Sequence, residues 1–89
     1  MDKDNETLLE FPCDFPIKAM GKANCGLEAR VISIIRRHVP DLGEGAVTSR
    51  LSKQGNYLSV TVVVRATSRA QLDAIYQDLT DCEQVLVAL

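Results

Sequence analysis

The chain has 89 residues and a formal net charge of -2 at pH 7; 46% of its residues are hydrophobic and 25% are charged. A chain of this length builds one hydrophobic core, which hides roughly 60 to 65% of the surface that the unfolded chain exposes. The small negative charge gives no electrostatic reason to expect nucleic acid as a partner. No apolar run approaches the roughly 20 residues that a membrane-spanning helix needs. We therefore expect a single domain that binds neither nucleic acid nor a membrane.

The cysteines and the first residues bear on the cellular compartment. Cys13, Cys25 and Cys82 are odd in number and have no C-x-x-C spacing, so they indicate neither a closed set of disulfides nor a zinc site. Free thiols fit a reducing cytoplasm. The acidic and polar start of the chain is unlike a secretory signal. We expect a cytoplasmic protein with no metal and no other cofactor.

The start of the chain divides into a tail and an arm. Residues 1–7 are polar and have no periodicity, so we expect a flexible tail. Leu8 and Leu9 then bring apolar side chains, and Pro12 keeps this segment out of a central strand. We interpret the segment as an arm that packs on the domain, which makes 8–89 the single domain.

The first strand is predicted over 15–21. The side chains of Phe15, Ile17 and Ala19 share one face because side chains alternate along a strand. Pro16, Lys18 and Met20 are predicted to share the other face. Gly21 is predicted to end the strand.

A helix is predicted over 27–39, where apolar residues recur with the i, i+4, i+7, i+8 spacing of an amphipathic helix. The predicted buried stripe is Leu27, Val31, Ile34, Ile35 and either His38 or Val39. Asn24 is predicted as the N-cap. Pro40 prevents the helix from continuing.

A strand hairpin follows a glycine-containing loop. Its first strand, 47–51, is weakly apolar and suits the edge of a sheet. The sequence Gln54-Gly55-Asn56 tolerates positive φ, so the chain is predicted to reverse there. The second strand, 58–66, has the strongest alternation in the chain and is predicted to be central.

The last two elements are a second helix and a final strand. The helix is predicted over 68–79, because Ser68 and Gln71 have the spacing of a capping box. Its predicted buried stripe is Leu72, Ile75, Tyr76 and Leu79. The final strand is predicted over 85–89, with Val85, Val87 and Leu89 facing the core.

The element order is strand, helix, strand, strand, helix, strand, which predicts an α+β fold of two layers. Both helices are expected on one face of a four-stranded antiparallel sheet. The opposite face is predicted to carry Lys18, Met20, Thr61, Val63, Arg65, Leu86 and Ala88. It is more apolar than a wholly solvated surface needs to be. We interpret Met20, Val63, Arg65 and Leu86 as a surface for self-association or for a protein partner; the alternative is that scattered surface apolar residues carry no function.

The sequence offers little catalytic chemistry. Cys25 falls at the predicted start of the first helix, a position that favours a reactive thiol, but no base is adjacent to it. His38, the single histidine, lies at a helix end, which favours packing or interaction with the dipole. The glycines Gly21 and Gly26 match neither common phosphate-loop pattern. We expect no catalytic residues, so the protein is not predicted to be an enzyme.

Binding of RNA is also disfavoured. RNA-recognition domains share this element order and stack bases on aromatic residues of the central strands. In this chain the corresponding face carries Ser59, Thr61, Val63 and Arg65, and aromatic residues make up only 4% of the sequence. The platform on which bases would stack is therefore absent.

One segment resembles a ligand-sensing family. The run from Asn24 to Ile35, Asn-Cys-Gly-Leu-Glu-Ala-Arg-Val-Ile-Ser-Ile-Ile, is similar to the start of the first helix in ACT domains. In that family the turn before this helix lines an effector pocket. The resemblance implies a ligand site near Gly21, Asn24 and Gly26. Unlike many ACT domains, this chain is expected to have no attached enzyme to regulate.

A second resemblance spans nearly the whole chain. The residues that carry it are Leu8-Leu9-Glu10-Phe11-Pro12, Phe15, Lys18, Met20-Gly21, Arg37-His38, Ser52, Gly55-Asn56-Tyr57 and Ala66-Thr67. By their spacing the chain resembles the YbeD-like family of small bacterial proteins. The resemblance implies a ferredoxin-like or ACT-like βαββαβ sandwich, a cytoplasmic bacterial protein and no established activity. Some members carry the name of lipoate regulatory protein.

These observations lead to three functional hypotheses. The first is a non-enzymatic cytoplasmic module for regulation or protein interaction, which contacts a partner or a second copy through its sheet. The alternative is an ACT-like sensor that binds an amino acid or a lipoate-related small molecule at Gly21, Asn24 and Gly26. An enzyme that uses Cys25 or His38 ranks last.

Overall fold

The structure, a computed structural model, describes residues 10–89. In chain order its elements are β1 (Cys13–Lys22), α1 (Leu27–Arg36), β2 (Val47–Leu51), β3 (Tyr57–Ala66), α2 (Arg69–Thr80) and β4 (Val87–Ala88), with a 3-10 turn over Glu44–Ala46. The predicted tail, 1–7, and the leucines Leu8 and Leu9 of the predicted arm lie outside the described residues. The predicted βαββαβ order is confirmed.

The strands form one antiparallel sheet in the order β2-β3-β1-β4. Strand β3 is interior, as predicted, and its Val62 pairs with Ile17 of β1 on one side and Val47 of β2 on the other. The reversal between β2 and β3 is also confirmed, because Gly55 has a φ of 77° and the Ser52 N–H donates to the Tyr57 carbonyl at 2.8 Å. Only glycine takes this backbone conformation without a steric cost.

The core lies between one face of the sheet and the two helices. Ile17 of β1 and Val62 of β3 are 1% and 0% exposed, and they belong to the same buried cluster as Ile35 of α1 and Ile75 of α2. Since inward positions recur every two residues in the strands and every three or four in the helices, the sequence pattern places both layers correctly. The prediction of both helices on one face is confirmed.

Helix α1 begins at the predicted residue, Leu27, but its N-cap is not the predicted one. Gly26 is the N-cap, with a φ of 75°, and no side chain caps the helix. Asn24 lies earlier in the turn with a φ of 63°, a conformation that asparagine adopts more readily than most residues. Left-handed backbone at both positions turns the chain from β1 into α1. The prediction of Asn24 as N-cap is therefore wrong.

Helix α1 ends at Arg36 and not at the predicted Val39. The His38 N–H donates to the Ile35 carbonyl at 2.9 Å, an i→i−3 bond that tightens the end of the helix, and the Val39 N–H donates to the same carbonyl at 2.9 Å. Pro40 disfavours helical backbone in the residue before it, so the helix ends early. Val39 is nevertheless buried, at 5% exposure, as the helical pattern predicts.

The predicted cap of α2 is present, with one difference. Ser68 Oγ accepts from the Gln71 N–H at 3.0 Å. The Gln71 side chain reaches back one residue further than a capping box requires, since its Oε1 accepts from the Thr67 N–H at 2.8 Å. Its Nε2 also donates to the His38 carbonyl at 3.2 Å. Gln71 thus joins the start of α2 to the end of α1.

Strand β4 is out of phase with the prediction. Val85 is buried as predicted, but Val87 and Leu89 are 44% and 64% exposed, and Ala88 packs against the core. The Val85 N–H donates to the Cys82 carbonyl at 3.0 Å, so Val85 belongs to a turn and strand alternation begins only at Val87. The inward placement of Val87 and Leu89 and the outward placement of Ala88 are wrong.

Pro16 lies where a proline is tolerated within a strand. The backbone of Lys18 exchanges two hydrogen bonds with Leu89, at 3.0 and 2.8 Å, so the even-numbered residues of β1 direct their backbone groups toward β4. Pro16 therefore points past the end of β4, where its missing N–H breaks no ladder bond. A proline at this edge also hinders pairing with a strand of another molecule.

Candidate functional site

Within residues 10–89 nothing covers the sheet on the side away from the helices. We call this side the open face: Asp14, Pro16, Lys18, Met20 and Lys22 of β1, Thr48 and Arg50 of β2, Tyr57, Ser59, Thr61, Val63 and Arg65 of β3, and Val87 of β4. It contains three of the predicted interaction residues, Met20, Val63 and Arg65. Val63 is 42% exposed, and Met20 is half-buried.

Leu86, the fourth predicted interaction residue, borders this surface. It lies in the bend before β4 and is 57% exposed. Its N–H donates to the Met20 carbonyl at 2.8 Å, which holds the bend against β1. Val87, the next residue, pairs with Met20 across the sheet. The exposed apolar area at this end of the open face is therefore larger than the sequence predicts.

The open face is positively charged, although the whole chain has a net charge of -2. Its basic side chains are Lys18, Lys22, Arg50 and Arg65, and Asp14 is its acidic one. Arg65 Nη1 lies 3.4 Å from Asp14 Oδ1, and both side chains are largely exposed. Among the described residues, Lys18, Lys22 and Arg50 have no carboxylate within 4.0 Å. Most of the positive charge on this face is thus left uncompensated.

A polar groove crosses the open face. Its volume is about 340 Å³, and its lining includes the basic side chains of Lys18 and Arg50. Thr48, Ser59 and Thr61 contribute hydroxyl groups between them. Hydroxyl groups and cations are donors that bind anionic oxygens. We call this concavity the cationic groove.

A smaller apolar concavity adjoins the cationic groove. It has a volume of about 120 Å³ and is lined by Met20, Leu51, Tyr57 and Leu58 together with Arg50, Ser52 and Ser59. Arg50 and Ser59 therefore border both concavities. Leu51 and Tyr57 are 56% and 47% exposed. We call it the apolar hollow.

The predicted ligand residues Gly21, Asn24 and Gly26 do lie in one turn, between β1 and α1. The space beside Gly21 is filled by the chain itself: an added Cβ would overlap the Gln84 carbonyl oxygen and lie 3.2 Å from both Leu27 methyl carbons. The Gln84 side chain donates through Nε2 to the Cys25 carbonyl and accepts from Arg30 Nε at 3.2 Å. These contacts give Gly21 a packing role, and binding of a small molecule at this turn stays a prediction.

A second groove lies on the helical side, between α1 and the turn before β4. Its volume is about 500 Å³. Arg30 and Arg37 line one wall, while Asp81 and Glu83 line the other together with Gln84. Since charges of both signs face this groove, it is not selective for one sign of ligand charge.

The two side chains considered for catalysis are separated by a helix. Cys25 precedes α1, and His38 follows it; the 10 residues of α1 span about 15 Å. Cys25 Sγ donates to the Lys22 carbonyl at 3.0 Å. His38 Nε2 lies 2.7 Å from Asp78 Oδ2 and joins α1 to α2. The arrangement therefore forms no Cys–His pair.

Sequence reasoning missed four residues that shape these surfaces: Thr48, Arg50, Tyr57 and Gln84. The first three could have been found from the hairpin, because a turn centred on Gly55 sets the register that places Arg50 opposite Ser59 and Thr48 opposite Thr61. No sequence pattern indicates a role for Gln84. Its contacts with Cys25 and Arg30 join residues far apart in the sequence.

Over 10–89 neither helix is long and apolar enough to cross a membrane. Nowhere in the same range do three histidine, cysteine, aspartate or glutamate side chains come together as a set that could hold a metal ion.

Comparison with known sequences decides the family. Residues 6–89 match the family model described as "Protein of unknown function (DUF493)". The chain belongs to this family. It is 46% identical over 84 residues to UPF0250 protein NE1487 of Nitrosomonas europaea, with 94% of this chain and 97% of that relative covered. A UPF0250 protein of Paraburkholderia phytofirmans is 46% identical over 89 residues, with 100% of both chains covered.

The resemblance to the YbeD-like proteins is thereby confirmed, because these proteins form the UPF0250 family. The fold is confirmed as well. The solution structure of protein HP0495 from H. pylori superimposes with a TM-score of 0.70 over 91% of this chain and 85% of that chain, at 12% sequence identity. This likeness shows the fold alone. A function for this UPF0250 protein therefore has to be argued from its surface.

Proposed function

We propose that this UPF0250 protein is a non-enzymatic cytoplasmic interaction or regulatory module, whose open face docks on a partner protein with an acidic contact surface. One observation carries the proposal: the open face combines exposed Val63 and Val87 with uncompensated basic side chains, in a chain that is negative overall. Protein interfaces commonly combine apolar contacts with polar ones. An acidic partner supplies the charges that these basic side chains lack.

A second copy of the chain suits the open face less well. In a two-fold dimer the same patch is contributed by both copies. Lys18, Lys22 and Arg50 of one copy would then approach the same basic residues of the other, and like charges brought together at an interface oppose binding. The single acidic side chain, Asp14, is already beside Arg65. Charge complementarity therefore favours a different, acidic protein.

The non-enzymatic part of the proposal is supported by the positions of Cys25 and His38 at opposite ends of α1. The cytoplasmic part is supported by the thiols. Cys13, Cys25 and Cys82 are all free, as expected for a protein that functions in a reducing compartment.

Replacing Val63 by glutamate is expected to reduce capture of the partner about tenfold or more. The substitution replaces an exposed apolar side chain of the docking surface with an unpaired negative charge, which repels an acidic partner. Val63 is 42% exposed on a sheet surface, so the fold should be retained. Capture is measured by affinity purification of tagged protein from cells followed by quantitative mass spectrometry, with thermal melting as a check on folding.

Ser33→Glu is the matched control, because Ser33 is exposed on α1 on the helical side. The new carboxylate stands four residues before Arg37 and so forms a favourable helical pair. Capture should be unchanged by this substitution. Equal loss of the partner in both variants, or undiminished capture by Val63→Glu, contradicts the proposal.

A further inference from the structure

The cationic groove and the apolar hollow are neighbours along the strands. One row of the sheet contains Thr48, Thr61 and Lys18, and the next contains Arg50, Ser59 and Met20. The groove lies over these two rows, and the hollow lies over the second row and the hairpin end beyond it. Rows that face the same side are two residues apart, about 7 Å. By their lining residues the two concavities are therefore offset along the strands by about one such step.

The groove has the chemistry of a carboxylate site. Lys18 on β1 and Arg50 on β2 flank β3, whose Ser59 and Thr61 present hydroxyl groups between them. The two basic strands are about 10 Å apart, so their long side chains can converge on one group placed over β3. Neither cation has a carboxylate within 4.0 Å among the described residues. An incoming carboxylate would gain both charge pairing and hydroxyl donors.

The hollow has the chemistry of an apolar side-chain pocket. Its apolar lining residues are Met20, Leu51, Tyr57 and Leu58, and its volume of about 120 Å³ is of the order of one bulky aliphatic side chain. An extended peptide presents side chains on one face every two residues, about 7 Å apart. That spacing matches the offset of about one row between the groove and the hollow.

We propose that the open face recognises a short extended segment of its partner protein, in which an acidic side chain and a bulky apolar side chain stand two positions apart. The carboxylate binds between Lys18 and Arg50 in the cationic groove. The apolar side chain enters the hollow beside Met20 and Tyr57. This inference rests on the proposed function, since it specifies which segment of the acidic partner makes the contact.

The test begins with a random 12-residue peptide-display library selected on the immobilised full chain. Enriched sequences are synthesised with a fluorescent label, and their affinity is measured by anisotropy for the wild type and for a Lys18→Gln, Arg50→Gln double variant. We expect enrichment of Asp or Glu two positions from Leu, Ile, Val or Phe. Affinity should fall about tenfold in the double variant and fall similarly when the acidic residue of the peptide becomes its amide. Higher salt should weaken binding by wild type much more than binding by the double variant.

Arg37→Gln is the control, because it removes one positive charge from the helical side and leaves the open face intact; it should leave affinity unchanged. Met20→Ser should weaken binding of a peptide that carries the apolar residue. It should not weaken binding of a peptide in which serine replaces that residue. Enriched peptides without the acidic residue, equal loss in Arg37→Gln, or equally tight binding of a single-stranded oligonucleotide would each overturn the inference.

Its failure is distinguishable from failure of the proposed function. If the partner captured from cells is lost on Val63→Glu but retained by the double variant, the open face still docks a protein and the carboxylate assignment is wrong. If neither change affects capture, both the inference and the proposed function fail.

Discussion

Replacing Gly21 by alanine is expected to lower the free energy of unfolding by about 2 to 3 kcal/mol. A methyl group at this position would overlap the Gln84 carbonyl oxygen and press on Leu27. The oxygen belongs to backbone and cannot rotate away as a flexible side chain would. The neighbouring hydrogen bond from Leu86 N–H to the Met20 carbonyl, 2.8 Å long, holds the same turn against β1. Urea denaturation followed by circular dichroism measures the loss.

Gly43→Ala is the matched control for this substitution. Nothing lies within 4 Å of a Cβ added there, and its φ of -94° suits any residue. Its effect should stay within about 0.5 kcal/mol, or be slightly stabilising, because alanine restricts the unfolded chain. Equal stability of the two variants would show that Gly21 is not held by close packing, and the predicted ligand role of the turn would gain weight.

Ile35→Ala is expected to cost about 2 to 5 kcal/mol in unfolding free energy. Ile35 is 0% exposed and belongs to the cluster that joins α1 to the sheet. Truncation removes buried methyl and methylene groups and leaves a cavity that close-packed neighbours fill only in part. The same denaturation experiment measures the cost.

Ile32→Ala provides the comparison within the same helix. Ile32 is only partly buried at the margin of the core, so its truncation should cost less than half as much. A larger loss at Ile32 than at Ile35 would mean that α1 presents a different face to the sheet, and the assignment of the open face would then need revision.

The periodic parts of the fold could be predicted from the sequence. In β3, alternation from Val60 to Val64 identifies the face that packs on the helices, and the spacing of Val31 and Ile35 does the same for α1. These patterns succeed because burial of apolar side chains dominates the energetics of both elements. The capping pattern at Ser68 succeeds because its hydrogen bond to Gln71 is local.

The errors lie where distant contacts determine the structure. The phase of β4 depends on the turn that buries Val85, and this turn is fixed by the close approach of Gln84 to Gly21. The sequence around β4 does not indicate that contact. If strand alternation is assumed to begin at Val85, Val87 is therefore assigned to the wrong face. The Asn24 cap fails for a related reason, since a left-handed Gly26 begins the helix without a side-chain cap.

The candidate site was predictable in outline and not in detail. Alternation along β1 and β3 places Met20, Val63 and Arg65 on the uncovered face, and the structure puts them there. The concavities need the pairing of three strands, which brings Arg50 beside Ser59 and Met20. Pattern within one strand determines which side a residue faces, whereas register between strands determines its neighbours.

Photo-crosslinking in cells tests most directly whether the open face contacts a different protein. A benzoylphenylalanine is placed at Val63 on the open face in one strain and at Ser33 on the helical side in another. We predict that irradiation joins the Val63 derivative to another protein, whose attached peptide contains acidic residues, and that the Ser33 derivative yields no such product. Crosslinking to that protein from Ser33 alone, or crosslinking of Val63 only to a second copy of this chain, would contradict the assignment of the open face.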